Sequence, residues 1–328
     1  LVGDFRGLPL NKSIVVWGPS GSGKSSLSQY LMMRFQQAKG FAMFFDFDDG
    51  ADSEQMRRQG IDLRQLVSSQ PLTIEEGFDF IHATVEKVYG KVTANRAELN
   101  KRPKSNGKKP PMLVVWDSLA AAASASLVEE KSAAQHHVGV DARAYSSQMK
   151  RMRLIQRMCP VVFFGVNEER DKIGGFSGFM GPTKNMPGGH AMRFYPTTVL
   201  KLAKIKTETR VRRGNKVTVG MWVQATAQKA RLGHNNDRAV FYVSFAKNGG
   251  GPLPAPSNLR FLKDAGFTKG TKKKMTIRDM EEVGSFSEQE WPEVMEEFEA
   301  DILQHLKDEM APPEDAGSAD DDEDFTLD

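Results

Sequence analysis

Short apolar runs alternate with amphipathic stretches along most of the chain. Residues 14–17 (IVVW), 41–49 (FAMFFDFDD), 112–118 (MLVVWDS) and 161–167 (VVFFGVN) are nearly continuous hydrophobic segments. Runs of that length without alternation read as strands buried on both faces. Between them, residues 26–35 and 74–90 repeat apolar positions at helical spacing, and residues 54–66 read as a short helix and turn. Residues 141–158 read as a basic helix carrying Arg143, Lys150, Arg151, Arg153 and Arg157. Three further stretches, 197–205, 217–230 and 239–246, alternate like strands of a sheet that continues past the core. Strands alternating with helices predict an α/β fold with a mostly parallel, doubly wound sheet.

The pattern breaks at four places. Residues 91–111 are polar, with Lys101, Arg102, Lys104, Lys108 and Lys109 close together, and read as a surface insertion. Residues 168–188 form a long Gly-rich loop, and loops of that length are usually functional or disordered. Residues 249–256 (GGGPLPAP) read as a linker to a small C-terminal α/β module. In that module Ser287 and Glu290 have capping-box spacing and open a helix expected to run to about Met310. The expected organisation is a core over 1–250, the module over 251–310 and a disordered tail over 311–328. No internal repeat is present.

Composition is that of an ordinary globular chain of 328 residues. No apolar run approaches a membrane span and there is no secretory h-region, so no membrane partner is expected. The one cysteine, Cys159, excludes an internal disulfide and sits before an apolar run, which suits a buried structural thiol. The net charge of +3 hides an asymmetry. Residues 314–328 hold eight acids and no Lys or Arg; setting them aside leaves 34 acidic against 45 basic residues, so residues 1–313 carry +11. A basic body with an acidic tail suggests a polyanion-binding surface for which the tail competes, or a tail that only solubilises. The chain opens at Leu1 without an initiator methionine, which reads as a truncated or processed product.

The chemistry concentrates at residues 18–25, GPSGSGKS, a complete G-x-x-x-x-G-K-S loop between a strand and a helix. Glycines let the backbone wrap a phosphate, and the loop amides and the helix N-terminus both aim positive charge at it. Gly18, Pro19, Ser20, Gly21, Ser22, Gly23, Lys24, Ser25 and Ser26 are therefore the candidate nucleotide-binding residues. Lys24 can reach the terminal phosphates and the Ser25 hydroxyl can bind Mg²⁺. The apolar run ending in Asp117 has the form of a Walker B strand, which would bring Asp117 beside the loop as the second metal-holding residue.

The order of segments resembles the RecA-type recombinases, including UvsX-like phage members, over most of residues 7–250. The pieces are GLPL, GPSGSGKSS, FFDFDDGAD, GIDLRQLVSSQP, VVWDSLAA, HHVGVDARAYSSQMKRM, VVFFGVNEERDKIG and GGHAMRFYPTTVLKL. The resemblance implies a RecA-like P-loop ATPase core that uses ATP and Mg²⁺ and self-assembles into a helical filament on single-stranded DNA. It also implies double-stranded DNA, with a single-strand-binding protein or a mediator, as partners. It implies a cytoplasmic location in a bacterium, or in an infected bacterial host if the gene is phage-borne.

Residue by residue, the resemblance makes Lys24 and Lys229 catalytic cations, the latter reaching a neighbour's phosphates. Asp48 takes the place of the water-orienting carboxylate, and Asp52 that of a residue near the adenine. Asp46 and Asp49 read as solvated strand-end acids. The two DNA loops map to about 124–139 and 168–188. Arg143, Arg170, Lys172, Phe176 and Phe179 are their candidate contacts, with His136 and His137 solvated or facing DNA. The chain departs from the family in four respects. Asp48 stands where Glu is usual, and Glu168 where Gln is usual. Ala227 replaces one of two interface lysines, with Arg231 near enough to compensate. The resemblance also leads us to expect that the family's N-terminal polymerisation segment is missing from the chain as given, which opens about a dozen residues before the first strand.

The expected function is ATP-dependent strand exchange in recombination and repair. A RecA-fold helicase or regulatory ATPase, a small-molecule kinase and a non-hydrolysing DNA-binding filament protein are the alternatives.

Overall fold

The hydrophobic runs become the middle of one large sheet. The computed structural model describes residues 10–92, 109–129, 139–171, 184–186, 189–212, 214–231, 234–245 and 250–309. In chain order the elements are β1 (Ser13–Gly18), α1 (Lys24–Gln37), β2 (Phe41–Asp46), α2 (Ser53–Arg58), β3 (Leu66–Ser69), α3 (Ile74–Tyr89), β4 (Met112–Asp117), α4 (Ala125–Glu129) and α5 (Val140–Met158). They continue with β5 (Val161–Glu168), β6 (Arg170–Asp171), β7 (Lys184–Asn185), α6 (Gly189–Phe194), β8 (Thr198–Arg212), β9 (Asn215–Ala230) and β10 (Arg238–Ser244). Last come β11 (Gly251–Leu253), α7 (Pro254–Asp264), β12 (Thr268–Thr271), β13 (Lys274–Ile277) and α8 (Trp291–Glu309).

Among the described residues the main sheet has nine strands in the order β11-β10-β9-β8-β1-β5-β4-β2-β3. From β8 to β3 every neighbouring pair is parallel; from β8 to β11 every pair is antiparallel. Side chains alternate across the sheet. Val15 and Trp17 of β1 enter one core with α3 and α5, while Ile14 and Val16 enter another with α1 and the β8–β10 strands. Helices on both faces make the sheet doubly wound, which is why its strands carry no polar alternation. A third cluster, including Leu262, Phe267, Met275, Phe286, Trp291 and Ile302, lies entirely within residues 255–306.

The structure departs from the sequence expectations at several elements. Residues 251–253 of the expected linker pair with β10 as the edge strand of the main sheet, and α7 begins at Pro254. The signal was masked because Gly and Pro suit an edge strand as well as a linker. Residues 66–69 are an edge strand; the expected helix and turn over 54–66 meets it only at Leu66, and no element was expected over 67–69. The loop over 168–188 opens as a strand pair, with Arg170 opposite Asn185 and Asp171 opposite Lys184. The first alternating stretch runs on to Arg212, and β8 with β9 forms a long ribbon. The capping box is present, with Ser287 N donating to Glu290 Oε2 and Glu290 N to Ser287 Oγ. The acidic tail lies outside the described residues.

Candidate nucleotide site

The parallel register brings the C-terminal ends of β1, β5, β4 and β2 to one edge of the sheet. Gly18 pairs with Glu168, and Asp46 with Asp117. The first of these strands feeds directly into the loop 18–25. Gly18 has φ +155, and a Cβ there would collide with the Leu202 carbonyl, so the loop can leave β1 only with glycine at this position. Gly23, at φ 87, caps α1 without any side-chain bond to the helix amides. The helix N-terminus is thus left for an anion.

Lys24 is buried at 5 % exposure. Its Nζ donates to the carbonyls of Gly18 (3.0 Å) and Pro19 (2.9 Å) and pairs with Glu168 Oε1 at 2.8 Å. Glu168, which stands where Gln is usual in the family, thus has a basic partner in Lys24. The Ser25 hydroxyl donates to Asp117 Oδ2 at 2.9 Å. Burial, then repulsion from Asp48 and Asp46, pushes the Asp117 carboxyl up to about 6, against the Ser25 hydrogen bond and Lys24. The Ser22 hydroxyl is buried without a hydrogen-bond partner.

These residues fit Mg²⁺ and a nucleotide triphosphate. Ser25 and Asp117 are hard oxygen donors held together, and Mg²⁺ commonly takes only one or two protein ligands, completing its shell with phosphate and water. No cluster of three or more His, Cys, Asp or Glu suited to a metal occurs among the described residues.

Asp48 is exposed on the turn after β2, near enough to Asp117 to raise it. Asp46 corrects an expectation: it is buried, and its carboxylate accepts from the amides of Gly50 (3.3 Å) and Ala51 (3.0 Å), shaping that turn. Asp49 accepts from Gln70 Nε2 at 2.8 Å. Asp52 is the N-cap of α2, with Oδ1 accepting from Glu54 N and Gln55 N.

Lys229 does not join Lys24 in this chain. It lies opposite Val199 on the far side of β8, and its Nζ donates to the carbonyls of Arg193 (2.8 Å) and Phe194 (2.7 Å) at the end of α6. Burial, then Arg231 and Arg153, lowers its pKa. Nearby, a concavity of about 500 Å³ is lined by Lys12, Arg153, Arg157 and Arg231, with no carboxylate among its described lining residues. This cationic hollow was missed because its members are far apart in sequence.

Arg143 is exposed in the first turn of α5, and Arg170 lies on β6 next to Glu169. Lys172, Phe176, Phe179, His136 and His137 fall outside the described residues.

No helix among the described residues is long and apolar enough to cross a membrane. A family model described as the RecA N-terminal domain matches residues 2–92 and 109–248. Protein RecA of Acholeplasma laidlawii is 24% identical over 305 residues, covering 92% of this chain and 83% of that protein. Protein RecA of Clavibacter michiganensis subsp. michiganensis (strain NCPPB 382) is 29% identical over 203 residues, covering 61% and 49%. The mitochondrial DNA repair protein recA homolog 3 of Arabidopsis thaliana is 24% identical over 241 residues, covering 74% and 50%. The chain therefore spans about half the length of the latter two. With a family match over more than half its length and the phosphate loop inside the matched residues, the chain belongs to the RecA family, the RecA-type recombinases.

Proposed function

We propose that the chain is an ATP-dependent recombinase that polymerises on single-stranded DNA, with ATP and Mg²⁺ between adjoining copies, and pairs that strand with homologous duplex. The observation that carries the reading is the convergence of Lys24, Ser25 and Asp117 at one sheet edge of a RecA-family chain. ATP with Mg²⁺, when bound, supplies a phosphoryl group for transfer to water. Lys24 and the loop amides would hold the phosphates, and Ser25 with Asp117 would hold the metal. Asp48 would orient the attacking water, and Asp52, with its capping oxygen committed to α2, would lie beside the base. Lys229 and Arg231, at the other end of the sheet, would face a neighbour's nucleotide. That arrangement is a head-to-tail contact, which builds an open helical filament when the rotation between copies does not close a ring. Arg143, Arg170 and Lys172 would track DNA phosphates while Phe176 and Phe179 stack on bases. The ATPase and DNA-binding core would span 1–250, with a small module over 251–310 and a tail over 311–328. A cytoplasmic site of action follows from this reading.

The test is ATP turnover with and without single-stranded DNA, run beside a joint-molecule assay. DNA-stimulated turnover with joint molecules is expected. Turnover indifferent to DNA would point instead to a regulatory ATPase or a kinase.

A further inference from the structure

Four cations converge where β1 begins, at the edge of the sheet opposite the phosphate loop. Lys12 directly precedes β1, Arg231 directly follows β9, and Arg153 and Arg157 lie one turn apart on α5. Together they line the hollow of about 500 Å³. Its floor is tied together from several elements. Gln156, buried on α5 beside Arg157, donates from Nε2 to Ser13 Oγ at 3.1 Å and to the Val161 carbonyl at 3.3 Å. Thr197 N donates to the Ser13 carbonyl at 2.8 Å, and Arg231 N to the Thr197 carbonyl at 3.1 Å. The start of β1, the end of β9 and the C-terminal end of α5 are thus fastened to one another before any ligand arrives.

The charge in this hollow is not balanced. Among the described residues no carboxylate lines it, and none of the four cations is in an ion pair. Arg153 and Arg157 are like charges at i,i+4, a spacing that weakens a helix. Arg231 and Arg153 also act on Lys229, whose pKa is lowered by burial first and by these two cations next. A cleft lined by one sign of charge focuses the field and concentrates the opposite ion. Guanidinium forks match phosphate oxygens in pairs. Four formal charges call for an anion that carries several charges in a small space, and the volume lies in the range of small-ligand sites. The candidate DNA contact Arg143 is remote, fourteen positions before Arg157 on the same helix, or about 21 Å.

We propose that this hollow is a second anion site, selective for compact oligophosphates: tripolyphosphate, pyrophosphate or the phosphate chain of a free nucleotide. Arg153 and Arg157 are its principal ligands, and Lys12 and Arg231 complete it. The hollow shares no residue with the phosphate loop, so the site goes beyond the nucleotide reading and does not rest on it.

The experiment uses the full chain carrying Lys24→Ala, so that the phosphate loop no longer contributes. It is titrated with tripolyphosphate by calorimetry at constant ionic strength. One saturable site per chain is expected, tighter for tripolyphosphate than for inorganic phosphate. Adding Arg153→Gln with Arg157→Gln should weaken it roughly tenfold, about threefold for each exposed charge contact removed. Lys12→Gln, on a different element, should weaken it about threefold and keeps the test independent of α5. Arg34→Gln, on α1, should leave it unchanged. A slowly hydrolysed ATP analogue is titrated in the same background. Competition with tripolyphosphate would make nucleotide phosphates a source, and binding of tripolyphosphate alone would make free oligophosphate the source; both results uphold the site. No saturable binding by the Lys24→Ala chain would overturn the proposal. So would equal affinity for inorganic phosphate, or affinity untouched by the Arg153→Gln, Arg157→Gln and Lys12→Gln changes. A wild type whose phosphate loop binds no nucleotide would defeat that reading and leave the hollow standing.

Discussion

At the scale of single residues, the site is organised by oxygens that share too little water. Asp117 is the clearest case, because burial and the neighbouring acids Asp48 and Asp46 raise it to about 6. A protonated Asp117 cannot hold Mg²⁺. Mg²⁺-dependent nucleotide binding should therefore weaken as pH falls through about 6, and Asp117→Asn should flatten the profile; titration of analogue affinity from pH 5 to pH 8 checks this. The sign for stability is the opposite. The native carboxyl binds its proton more tightly than the unfolded chain, whose value is 3.8, so the group costs the empty protein stability above about pH 6. That cost fades as pH falls toward the unfolded value. Asp48→Asn should spare analogue binding and stop hydrolysis in a single-turnover assay; normal hydrolysis would move the water-orienting role elsewhere. Gly18→Ala should lose nucleotide binding, since its methyl meets a backbone carbonyl rather than a side chain that could yield. Lys24, Ser25 and Asp117 were legible in the sequence because spacing and strand ends fix them. Asp46 was not: nothing in FDFDD tells which aspartate turns inward to bind amides and which stays wet. The Lys24–Glu168 pair joins residues far apart in sequence, and only the β1–β5 register brings them together.

At the scale of elements, the central strands were readable and the edges were not. β1, β2, β4 and β5 announce themselves because burial on both faces demands unbroken apolar runs. β3 and β11 carry four and three residues, half-wet, with composition that turns also use. The basic helix reading held as α5, whose buried face carries Tyr145, Met149, Met152 and Ile155. The C-terminal residues build a cluster around Trp291, whose indole N–H donates to the Ala255 carbonyl at 2.6 Å. Trp291→Ala should cost about 3–5 kcal/mol in that cluster. If the cluster folds as its own unit, chemical denaturation of this variant should show an early transition while analogue binding persists. Loss of both together would mean that the cluster and the main sheet unfold as one.

At the scale of the whole molecule, the chain combines a nucleotide edge, a cationic hollow at the other end of the sheet and a charge imbalance between residues 1–313 and 314–328. Removing residues 314–328 takes away eight acids from a chain whose remainder carries +11. Affinity for single-stranded DNA should rise at low salt, with the gain shrinking as added salt screens it. No change at any ionic strength would leave the tail as a solubiliser. The hollow formed by Lys12, Arg153, Arg157 and Arg231 was invisible to sequence reading because it exists only where β1, α5 and β9 meet. The central claim is that nucleotide at the end of β1 makes copies of this chain assemble along single-stranded DNA. Electron microscopy of the full chain with single-stranded DNA, with and without the ATP analogue and Mg²⁺, tests it most directly. Continuous helical filaments that need the nucleotide and vanish in Lys24→Ala are predicted; closed rings, or dispersed monomers whatever nucleotide is supplied, would contradict it.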